Sequence, residues 1–257
     1  MSPWYEDSFG YEYLELYAHR DEEEARSDIE AIVRMLDPPR DEPLLDLCCG
    51  ACRHLLVLRE MGFTQLVGLD LSEELLEVGA RQLASERAAV PRYPCPGVEL
   101  VRSDMREIPY RDHFATVLSL FTSFGYFRRD EENARVFRGV LRALRPGGKF
   151  LIDYLNRDYV IANLVERDEA TVADRHVENI RCLTEGCRRV EKTTTVTASD
   201  GSVREFHESV RMYSRQEMVE MLRAAGFLHP RCYGSLDKDE CSVESKRLIL
   251  IAEKGTA

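Results

Sequence analysis

Short apolar segments alternate with amphipathic segments along the first part of the chain. Segments of strand length, rich in Leu, Val and Phe, lie at residues 44–49, 65–70, 98–103, 114–120 and 149–154. Apolar residues at helical spacing occupy most of the intervals between them, as expected for helices that pack one face on a sheet. This alternation predicts a parallel sheet covered by helices.

The pattern changes after the fifth apolar segment. Residues 171–212 are extended in character, rich in Thr, Val and Arg, with a turn signal at residues 199–202. Ser214 then occupies the position of a helix cap, and two further apolar segments follow at residues 231–236 and 246–252. We therefore expect an antiparallel meander, one more helix and two closing strands.

The composition is that of a globular protein with an acidic surface. The 257 residues are 44% hydrophobic and 32% charged, and 46 acidic against 35 basic residues give a formal net charge of −11. Such a surface repels phosphate backbones unless basic residues cluster. No apolar run approaches the roughly 18 residues of a membrane span, and the amino-terminal residues lack a secretory signal pattern. We expect a cytoplasmic protein that binds neither nucleic acid nor membranes.

The eight cysteines predict no metal site. Cys49 and Cys52 form one C-x-x-C pair, and the other cysteines supply no second close pair for a four-thiolate zinc site. The pair also has the form of a redox motif at a helix amino terminus. Its place inside a ligand-binding type of loop disfavours that function.

That loop follows the first predicted strand. Residues 44–54 pass from an apolar strand through small residues, including Gly50, into a helix. Small residues let the backbone approach a ligand, and the helix amino terminus supplies unpaired N–H groups. Asp70 ends the second predicted strand, where a carboxylate can accept hydrogen bonds from both hydroxyls of a ribose. A dinucleotide fingerprint would need three glycines, and no G-K-S/T motif of a P-loop follows a strand.

In their order, these motifs resemble those of the class I S-adenosylmethionine-dependent methyltransferases. D-L-C-C-G-A-C at residues 46–52 is similar to the family's first motif, Asp70 to its ribose-binding acid, and R-S-D-M at residues 102–105 to its adenine-contacting turn. The segments at residues 119–126 and 144–148 are also family-like. The resemblance covers nearly the whole chain and implies a Rossmann-like, doubly wound, seven-stranded, mostly parallel sheet with S-adenosylmethionine as cofactor.

The resemblance also implies which residues hold the cofactor. Gly50 would bring the backbone to the methionine moiety, Asp70 would bind the ribose, and Asp104 would bind the adenine amino group. The backbone of Leu120 or Phe121 would bind the amino group of the methionine moiety. The full implied set is Tyr13, Tyr17, Asp46, Cys49, Gly50, Ala51, Asp70, Leu71, Asp104, Met105, Leu120 and Phe121.

Similarity is greatest to bacterial small-molecule members that carry an antiparallel β-domain between the fifth strand and the next helix. This group includes amino-sugar N,N-dimethyltransferases, and the predicted meander occupies the same place. Amino-terminal aromatic residues close over the cofactor in that group, which nominates Tyr13 and Tyr17. Two positions depart from the family. Cys52 stands where glycine is usual, so we expect the loop to be tighter on the cofactor. Tyr126 stands where the sugar methyltransferases have histidine.

Methyl transfer from a sulfonium asks little chemistry of the protein. It must hold the reacting atoms in line, exclude water and remove at most one proton. Tyr126, at the end of the fourth predicted strand, is the candidate for handling that proton. Glu208, Arg211 and Tyr213, on or beside the meander, are candidates for binding substrate. Each also has a structural alternative, since Glu208 can pair with a nearby arginine, Arg211 can lie on a solvated face and Tyr213 can merely pack.

The sequence therefore predicts an S-adenosylmethionine-binding domain formed by residues 1–156 and 213–257, with residues 157–212 as an inserted β-domain over the active site. The predicted function is methyl transfer to nitrogen or oxygen of a small-molecule metabolite by a monomer or homodimer. Two alternatives remain open. One is a non-catalytic S-adenosylmethionine-binding sensor or regulatory protein, and the other is a protein or nucleic-acid methyltransferase, which requires a basic channel or docking groove.

Overall fold

Helices and strands alternate along the chain in the order that the apolar pattern predicts. The computed structural model describes residues 3–16, 22–85, 97–172 and 174–256. The helices are α1 (Trp4–Asp7), α2 (Tyr11–Leu16), α3 (Glu22–Leu36), α4 (Arg53–Glu60), α5 (Glu73–Ser85), α6 (Asp130–Ala143), α7 (Arg157–Asn163) and α8 (Arg215–Ala225). The strands are β1 (Leu44–Leu47), β2 (Leu66–Asp70), β3 (Val98–Arg102), β4 (Phe114–Ser119), β5 (Leu144–Leu155), β6 (Arg167–Val172), β7 (Arg175–Thr184), β8 (Arg189–Thr197), β9 (Val203–Arg211), β10 (Leu228–Tyr233) and β11 (Arg247–Glu253).

Seven strands form one mostly parallel sheet in the order β10-β11-β5-β4-β1-β2-β3. Strand β1 pairs in parallel with β2 and β4, and β11 is antiparallel to both of its neighbours. The strand order reverses between β1 and β4, because β2 and β3 are added on one side and β5 on the other. The predicted Rossmann-like fold is confirmed. In such sheets, ligands bind over the carboxyl ends of the strands at this reversal.

Helices cover both faces of this sheet. Leu44 points to the side of α3 and α4, and Leu45 to the side of α6 and α8, because successive side chains of a strand alternate. Burial on both faces explains why the strands read as nearly continuous apolar segments. Within the described part of the chain, no helix combines the length and the apolar character that a membrane crossing requires.

Several elements differ from the sequence-based expectation. Helix α3 was not predicted, although its buried residues Ala25, Ile29 and Ile32 have helical spacing. Strand β5 was predicted to begin at residue 149, whereas it begins at Leu144, where ψ of 141° ends α6 in an extended conformation. The following Pro146 disfavours helical backbone at the residue before it, so the helix stops early.

The remaining strands form a separate antiparallel sheet in the order β6-β7-β8-β9. Each strand pairs with the next one along the chain. Arg167 of β6 lies opposite Ile180 of β7, and Arg189 of β8 lies opposite Arg211 of β9. It follows α7 in sequence and begins a few residues before the predicted meander. The division of the chain into domains at residues 157 and 212 stays a prediction.

Helices α4 and α5 pack through a pair of small residues. Cys52, which precedes α4, has φ of 68°, in the left-handed region that favours glycine, and its side chain is buried. A Cβ added to Gly79 of α5 would overlap Cys52 Sγ and lie 2.9 Å from Cys52 Cβ. Gly79 therefore provides the space that a cysteine requires at this position.

Gly79→Ala should reduce the free energy of unfolding by about 1–3 kcal/mol, because the added methyl group overpacks against Cys52. Cys52→Gly removes the overlapping atoms, so Gly79→Ala should cost less in that background. Urea unfolding of the wild type, both single variants and the double variant measures this coupling. Gly139→Ala on α6 is the matched control, because its added Cβ would lie 3.5 Å from Ile108 Cδ1. An equal cost of Gly79→Ala in both backgrounds would contradict the prediction.

Candidate functional site

A cleft of about 1530 Å³ opens over the carboxyl ends of β1, β2 and β4. Its floor consists of the loops after these strands, with Gly50, Asp70 and Leu120, and its opposite wall includes Phe9 and Phe206. Ligand pockets commonly measure about 300–1000 Å³. This cleft therefore has room for a large ligand or for two, at the point where the strand order reverses.

The Asp70 carboxylate joins two loops of the cleft floor. Its Oδ2 accepts a hydrogen bond from the Gly50 N–H at 2.9 Å, and its Oδ1 accepts one from the Ser72 N–H at 2.9 Å. Burial raises the pKa of this carboxyl, and the backbone hydrogen bonds oppose the rise. An ionised carboxylate has about four acceptor positions. Asp70 therefore retains acceptor capacity toward the cleft that it lines.

The loop after β1 presents backbone to the cleft. Gly50 has φ of 52°, and a Cβ added there would meet only Leu75 Cδ1 at 3.9 Å. Cys48 is also left-handed, with φ of 64°. Cys49 and Ala51 line the cleft beside Gly50. A ligand can therefore approach the main chain closely, as the small residues of the loop predicted.

Asp46 lies buried at the carboxyl end of β1 and is incompletely hydrogen bonded. Its Oδ2 is 3.9 Å from Nδ1 of His54, and among the described residues neither this oxygen nor His54 Nε2 has a hydrogen-bond partner. Burial and the nearby Asp70 raise the pKa of Asp46 to about 7, and burial lowers the pKa of His54 to about 3. A neutral imidazole cannot neutralise the carboxylate, so Asp46 keeps an unsatisfied acceptor near the cleft.

Asp104 lines the cleft and is held by Arg106. The Arg106 Nη2 donates to Asp104 Oδ2 at 2.6 Å, and its backbone N–H donates to Oδ1 at 2.8 Å. Burial acts to raise the pKa of Asp104, but the hydrogen bonds from Arg106 outweigh it and the pKa is lowered. Arg106 also pairs with Glu132 at 2.8 Å. Any ligand that contacts Asp104, beside the buried Met105, shares this carboxylate with Arg106.

The backbone after β4 is strained. Phe121 and Thr122 have φ of 55° and 59°, a conformation that costs side-chain-bearing residues energy and is enriched at functional sites. The Phe121 N–H donates to Asp153 Oδ2 at 3.2 Å, so this donor is already used. The guanidinium of Arg53 lies 4.1 Å from the centre of the Phe121 ring. Phe121 and Leu120 both line the cleft, and the Leu120 carbonyl already accepts a hydrogen bond from Ser123 Oγ at 2.8 Å.

The amino-terminal segment forms a roof over the cleft. The Tyr11 N–H donates to Glu74, and the Tyr11 hydroxyl donates to Glu77, each at 2.8 Å. On the other side of the cleft, Glu12 pairs with Arg204 of β9 at 2.5 Å. These contacts tie α2 to both α5 and the small sheet. Among the implied cofactor-binding residues, the Tyr13 side chain and the whole of Tyr17 lie outside the described residues.

Tyr126 belongs to an aromatic cluster at the edge of the cleft. Its ring stacks on Phe9 at a centroid distance of 5.6 Å and meets Trp4 edge-on at 5.0 Å. Tyr126 also borders a second cleft of about 490 Å³ between α1 and the small sheet. Tyr126, Tyr5 and Phe127 line both clefts, so these three side chains stand between them.

The three substrate-binding candidates occupy different environments. Glu208 lines the second cleft, where it pairs with Lys192 at 3.1 Å. Arg211 is 5% exposed and pairs with Glu217 at 2.8 Å and Asp130 at 3.4 Å. Tyr213 is 1% exposed and donates to Asp130 at 2.6 Å.

This arrangement corrects the expectation for Arg211 and Tyr213. Neither is among the described residues that line the two clefts, and both side chains are held by a buried network around Asp130. Arg211 is also not solvated, so the structural alternative considered for it was wrong as well. Both residues join the end of β9 to α6 and α8.

The cysteines of the first loop have a structural environment. The pKa of Cys49 lies well above its usual range. The largest cause is a hydrogen bond with Cys52, and the second is burial. A thiolate is the reactive form of cysteine, so this environment suppresses redox chemistry. Within the described residues, no group of three or more His, Cys, Asp or Glu side chains is placed to hold a metal ion.

Comparisons with known proteins place the chain in a family. The family described as "Methyltransferase domain" matches residues 44–148. The dTDP-3-amino-3,4,6-trideoxy-alpha-D-glucopyranose N,N-dimethyltransferase of Streptomyces venezuelae is 30% identical over 226 residues, which are 84% of this chain and 87% of that protein. The chain belongs to the S-adenosylmethionine-dependent methyltransferases.

Solved methyltransferase structures share the fold. An S-adenosylmethionine-dependent methyltransferase from Clostridium acetobutylicum has a TM-score of 0.74 at 16% identity and covers 93% of this chain and 94% of its own. S-adenosylmethionine-bound CalS10, an amino pentose methyltransferase from Micromonospora echinaspora, has a TM-score of 0.66 at 23% identity, with coverages of 94% and 96%. At these sequence identities, the similarity shows that the chain shares their fold.

The main cleft fits the cofactor of this family. S-adenosylmethionine carries two cationic groups, a ribose diol and an adenine amino group, all of which seek negative or accepting partners. The cleft offers the acceptors of Asp70 and Asp104, with the unsatisfied Asp46 oxygen nearby, and Gly50 lets the backbone approach. Arg53 lines the same cleft and provides a cation for the carboxylate of the methionine moiety.

Sequence reasoning did not identify Arg53, His54 or Arg106 in the site. Arg53 and His54 directly follow the first motif, and Arg106 stands two residues after Asp104, so proximity in sequence was an available signal. What it could not reveal is that Arg106 binds Asp104 and Glu132 together, because Glu132 belongs to the distant helix α6.

Asp46 should make the stability of the cofactor-free methyltransferase depend on pH. The folded state keeps the Asp46 proton up to about pH 7, whereas the ordinary carboxyl value is 3.8, so this contribution to stability is present at low pH and is lost as pH rises from about 4 to 7. Asp46→Asn stays neutral. Its free energy of unfolding relative to the wild type should increase over this range by about 2–4 kcal/mol.

Urea unfolding of the wild type and Asp46→Asn at intervals from pH 5 to pH 8 measures this difference. Asp41→Asn, at an exposed position before β1, serves as the control for removing one carboxylate. A difference between wild type and Asp46→Asn that stays constant with pH would show that Asp46 does not resist ionisation.

Proposed function

We propose that the chain transfers the methyl group of S-adenosylmethionine to a nitrogen or oxygen atom of a small-molecule metabolite. The observation that carries this proposal is that two neighbouring clefts share Tyr126 in their walls. One cleft has the size and the acceptors for the cofactor, and the smaller one has the size for a second ligand. A methyltransferase needs this arrangement, because donor and acceptor must meet in one line.

The proposed cofactor contacts follow the floor of the larger cleft. Asp70 accepts hydrogen bonds from the ribose hydroxyls while it continues to hold the Gly50 loop. Asp104 accepts from the adenine amino group next to Met105. The methionine moiety lies toward the residues of the loops after β1 and β4, namely Asp46, Cys49, Gly50, Ala51, Leu120 and Phe121. Leu71 lines the ribose side, and Tyr13 and Tyr17 are proposed to close the cleft from the roof.

The chemistry divides between cofactor and chain. S-adenosylmethionine supplies an electrophilic methyl group when bound. The chain orients the acceptor, excludes water through the roof formed by α1 and α2, and accepts a hydrogen bond from the reacting N–H or O–H, whose proton passes to solvent. Tyr126 borders both clefts, so its phenol is the proposed hydrogen-bond partner of the acceptor atom. Glu208 is the proposed substrate contact in the smaller cleft.

A nitrogen acceptor is favoured over oxygen. The relatives from Streptomyces venezuelae and Saccharopolyspora spinosa are both N,N-dimethyltransferases of amino sugars by name. Acidic side chains at the smaller cleft, including Glu191 and Glu208, suit a group that is cationic before it reacts. We propose an amine of a small metabolite as the acceptor class.

The alternatives make different predictions. A non-catalytic sensor binds S-adenosylmethionine but transfers no methyl group to any member of a panel of amines and alcohols. A nucleic-acid or protein methyltransferase needs a basic groove, which a net charge of −11 disfavours. Radiolabelled methyl transfer to the small-molecule panel, with an RNA and a peptide pool beside it, distinguishes them. Calorimetry with S-adenosylmethionine and its demethylated product tests the cofactor, and absence of saturable binding by both would contradict the proposal.

Asp70→Asn should weaken binding of S-adenosylmethionine by about 10- to 100-fold, because hydrogen bonds to a charged acceptor are worth about 1.5–3 kcal/mol. Calorimetric titration measures the affinity. Glu73→Gln is the matched control, since Glu73 lines the same cleft but pairs with Arg102 at its exposed edge. Equal affinity of wild type and a folded Asp70→Asn would remove Asp70 from the site.

Tyr126→Phe should reduce kcat by about 100-fold and leave the affinity for S-adenosylmethionine nearly unchanged, because it removes a proton-handling group without removing the aromatic ring. Single-turnover rates at saturating S-adenosylmethionine provide the readout. Tyr110→Phe is the control, because the Tyr110 hydroxyl donates to Glu99 and Tyr110 is not among the residues that line the two clefts. An unchanged kcat would leave Tyr126 with a packing function.

A further inference from the structure

The smaller cleft contains a buried arginine. Arg189, the first residue of β8, is 1% exposed and is among the residues that line this cleft. Burial lowers the pKa of its guanidinium, because the cation is removed from water. A buried cation is stable in a protein when an anion compensates its charge.

The hydrogen-bond partners of Arg189 are all neutral. Its Nε donates to Ser209 Oγ at 3.0 Å, its Nη2 to the Ser209 carbonyl at 2.9 Å, and its Nη1 to the Phe127 carbonyl at 3.3 Å. A guanidinium has five N–H donors. Two donors, one on each terminal nitrogen, therefore remain after these three bonds.

The neighbouring acids are engaged elsewhere. Glu185 pairs with Arg128 at 2.9 Å, and Glu208 pairs with Lys192 at 3.1 Å. Glu191 lies on the same face of β8 and, like Glu185, acts on Arg189 through its charge. It makes no direct hydrogen bond to Arg189: the Ser209 hydroxyl accepts from Arg189 Nε and donates to Glu191 at 3.5 Å. Within the described residues, Arg189 forms no ion pair.

Arg211 shows how this fold compensates a buried arginine when the purpose is structural. It lies directly opposite Arg189 in the pairing of β8 and β9. Its guanidinium has two acidic partners, Glu217 at 2.8 Å and Asp130 at 3.4 Å. Arg211 lies away from the clefts, whereas Arg189 lines one and lacks such partners.

We propose that Arg189 binds an oxyanion, a carboxylate or a phosphate, that is part of the methyl acceptor. The two remaining N–H donors match the two oxygens of such a group, and a guanidinium favours this two-point geometry. The proposal rests on the proposed function, because it makes the smaller cleft the acceptor site. It specifies an acceptor that carries an acidic group in addition to the atom that is methylated.

Binding of inorganic phosphate and of acetate to the full chain, saturated with S-adenosylhomocysteine, tests the proposal. Calorimetry should show saturable binding of at least one of these anions to the wild type. Arg189→Met should weaken that binding by about 10- to 100-fold, the loss expected for charge-assisted hydrogen bonds. Arg189→Lys should lose less anion affinity than Arg189→Met, since lysine keeps the positive charge but not the paired N–H donors of the guanidinium. Preference for phosphate or acetate identifies the class of oxyanion.

Arg138→Gln removes an exposed cation of α6 that lines neither cleft and should change anion affinity by less than about threefold, as expected for a screened surface charge. A second measurement avoids dependence on the folding of Arg189 variants: anion titration of the wild type should shift the NMR signal of the Arg189 Nε–H. Absence of anion binding, or binding that leaves this signal unmoved, would overturn the proposal. Retained affinity for S-adenosylhomocysteine in that case would show that the cofactor site of the proposed function is intact.

Discussion

The Asp70 carboxylate holds the floor of the cofactor cleft together. It ends β2, and it accepts one N–H from the loop after β1 and another from the loop before α5. The left-handed turn at Gly50 directs its N–H toward this carboxylate, and the parallel register of β1 and β2 brings the two loops to the same edge. The position of the binding loop therefore depends on a residue that is also proposed to contact the ligand.

Charge is distributed unequally between the two clefts. Asp70 and Asp104 line the larger cleft, and the buried Asp46, close enough to Asp70 for their charges to interact, has an unsatisfied oxygen. Carboxylates that are buried near one another disfavour ionisation, which a cationic ligand relieves. In the smaller cleft the buried cation Arg189 forms no ion pair among the described residues, and acids such as Glu191 line the same cleft. The smaller cleft thus offers a partner to an amine and, as we propose, to an acidic group of the same acceptor.

The sheet and the first motif could be predicted from the sequence because they depend on local patterns. Apolar strands, the turn at Gly50 and the acid at Asp70 are properties of short segments, and the structure brings these residues to one edge. The function of Arg211 could not be read in this way. Alternation along β9 indicates the face on which a side chain lies, but not that Asp130 and Glu217 from two helices cover that face. The lack of an ion pair at Arg189 could not be predicted for the same reason, since it depends on where Glu185 and Glu208 find their partners.

A crystal structure of the full chain with S-adenosylhomocysteine is the most direct test of this account. We expect the ribose hydroxyls to lie at hydrogen-bond distance, about 2.5–3.0 Å, from the Asp70 carboxylate, while the Gly50 N–H still donates to Asp70. We also expect the sulfur to lie toward Tyr126, the residue that lines both clefts. A ligand that occupied the smaller cleft, or that placed its ribose away from Asp70, would contradict the account.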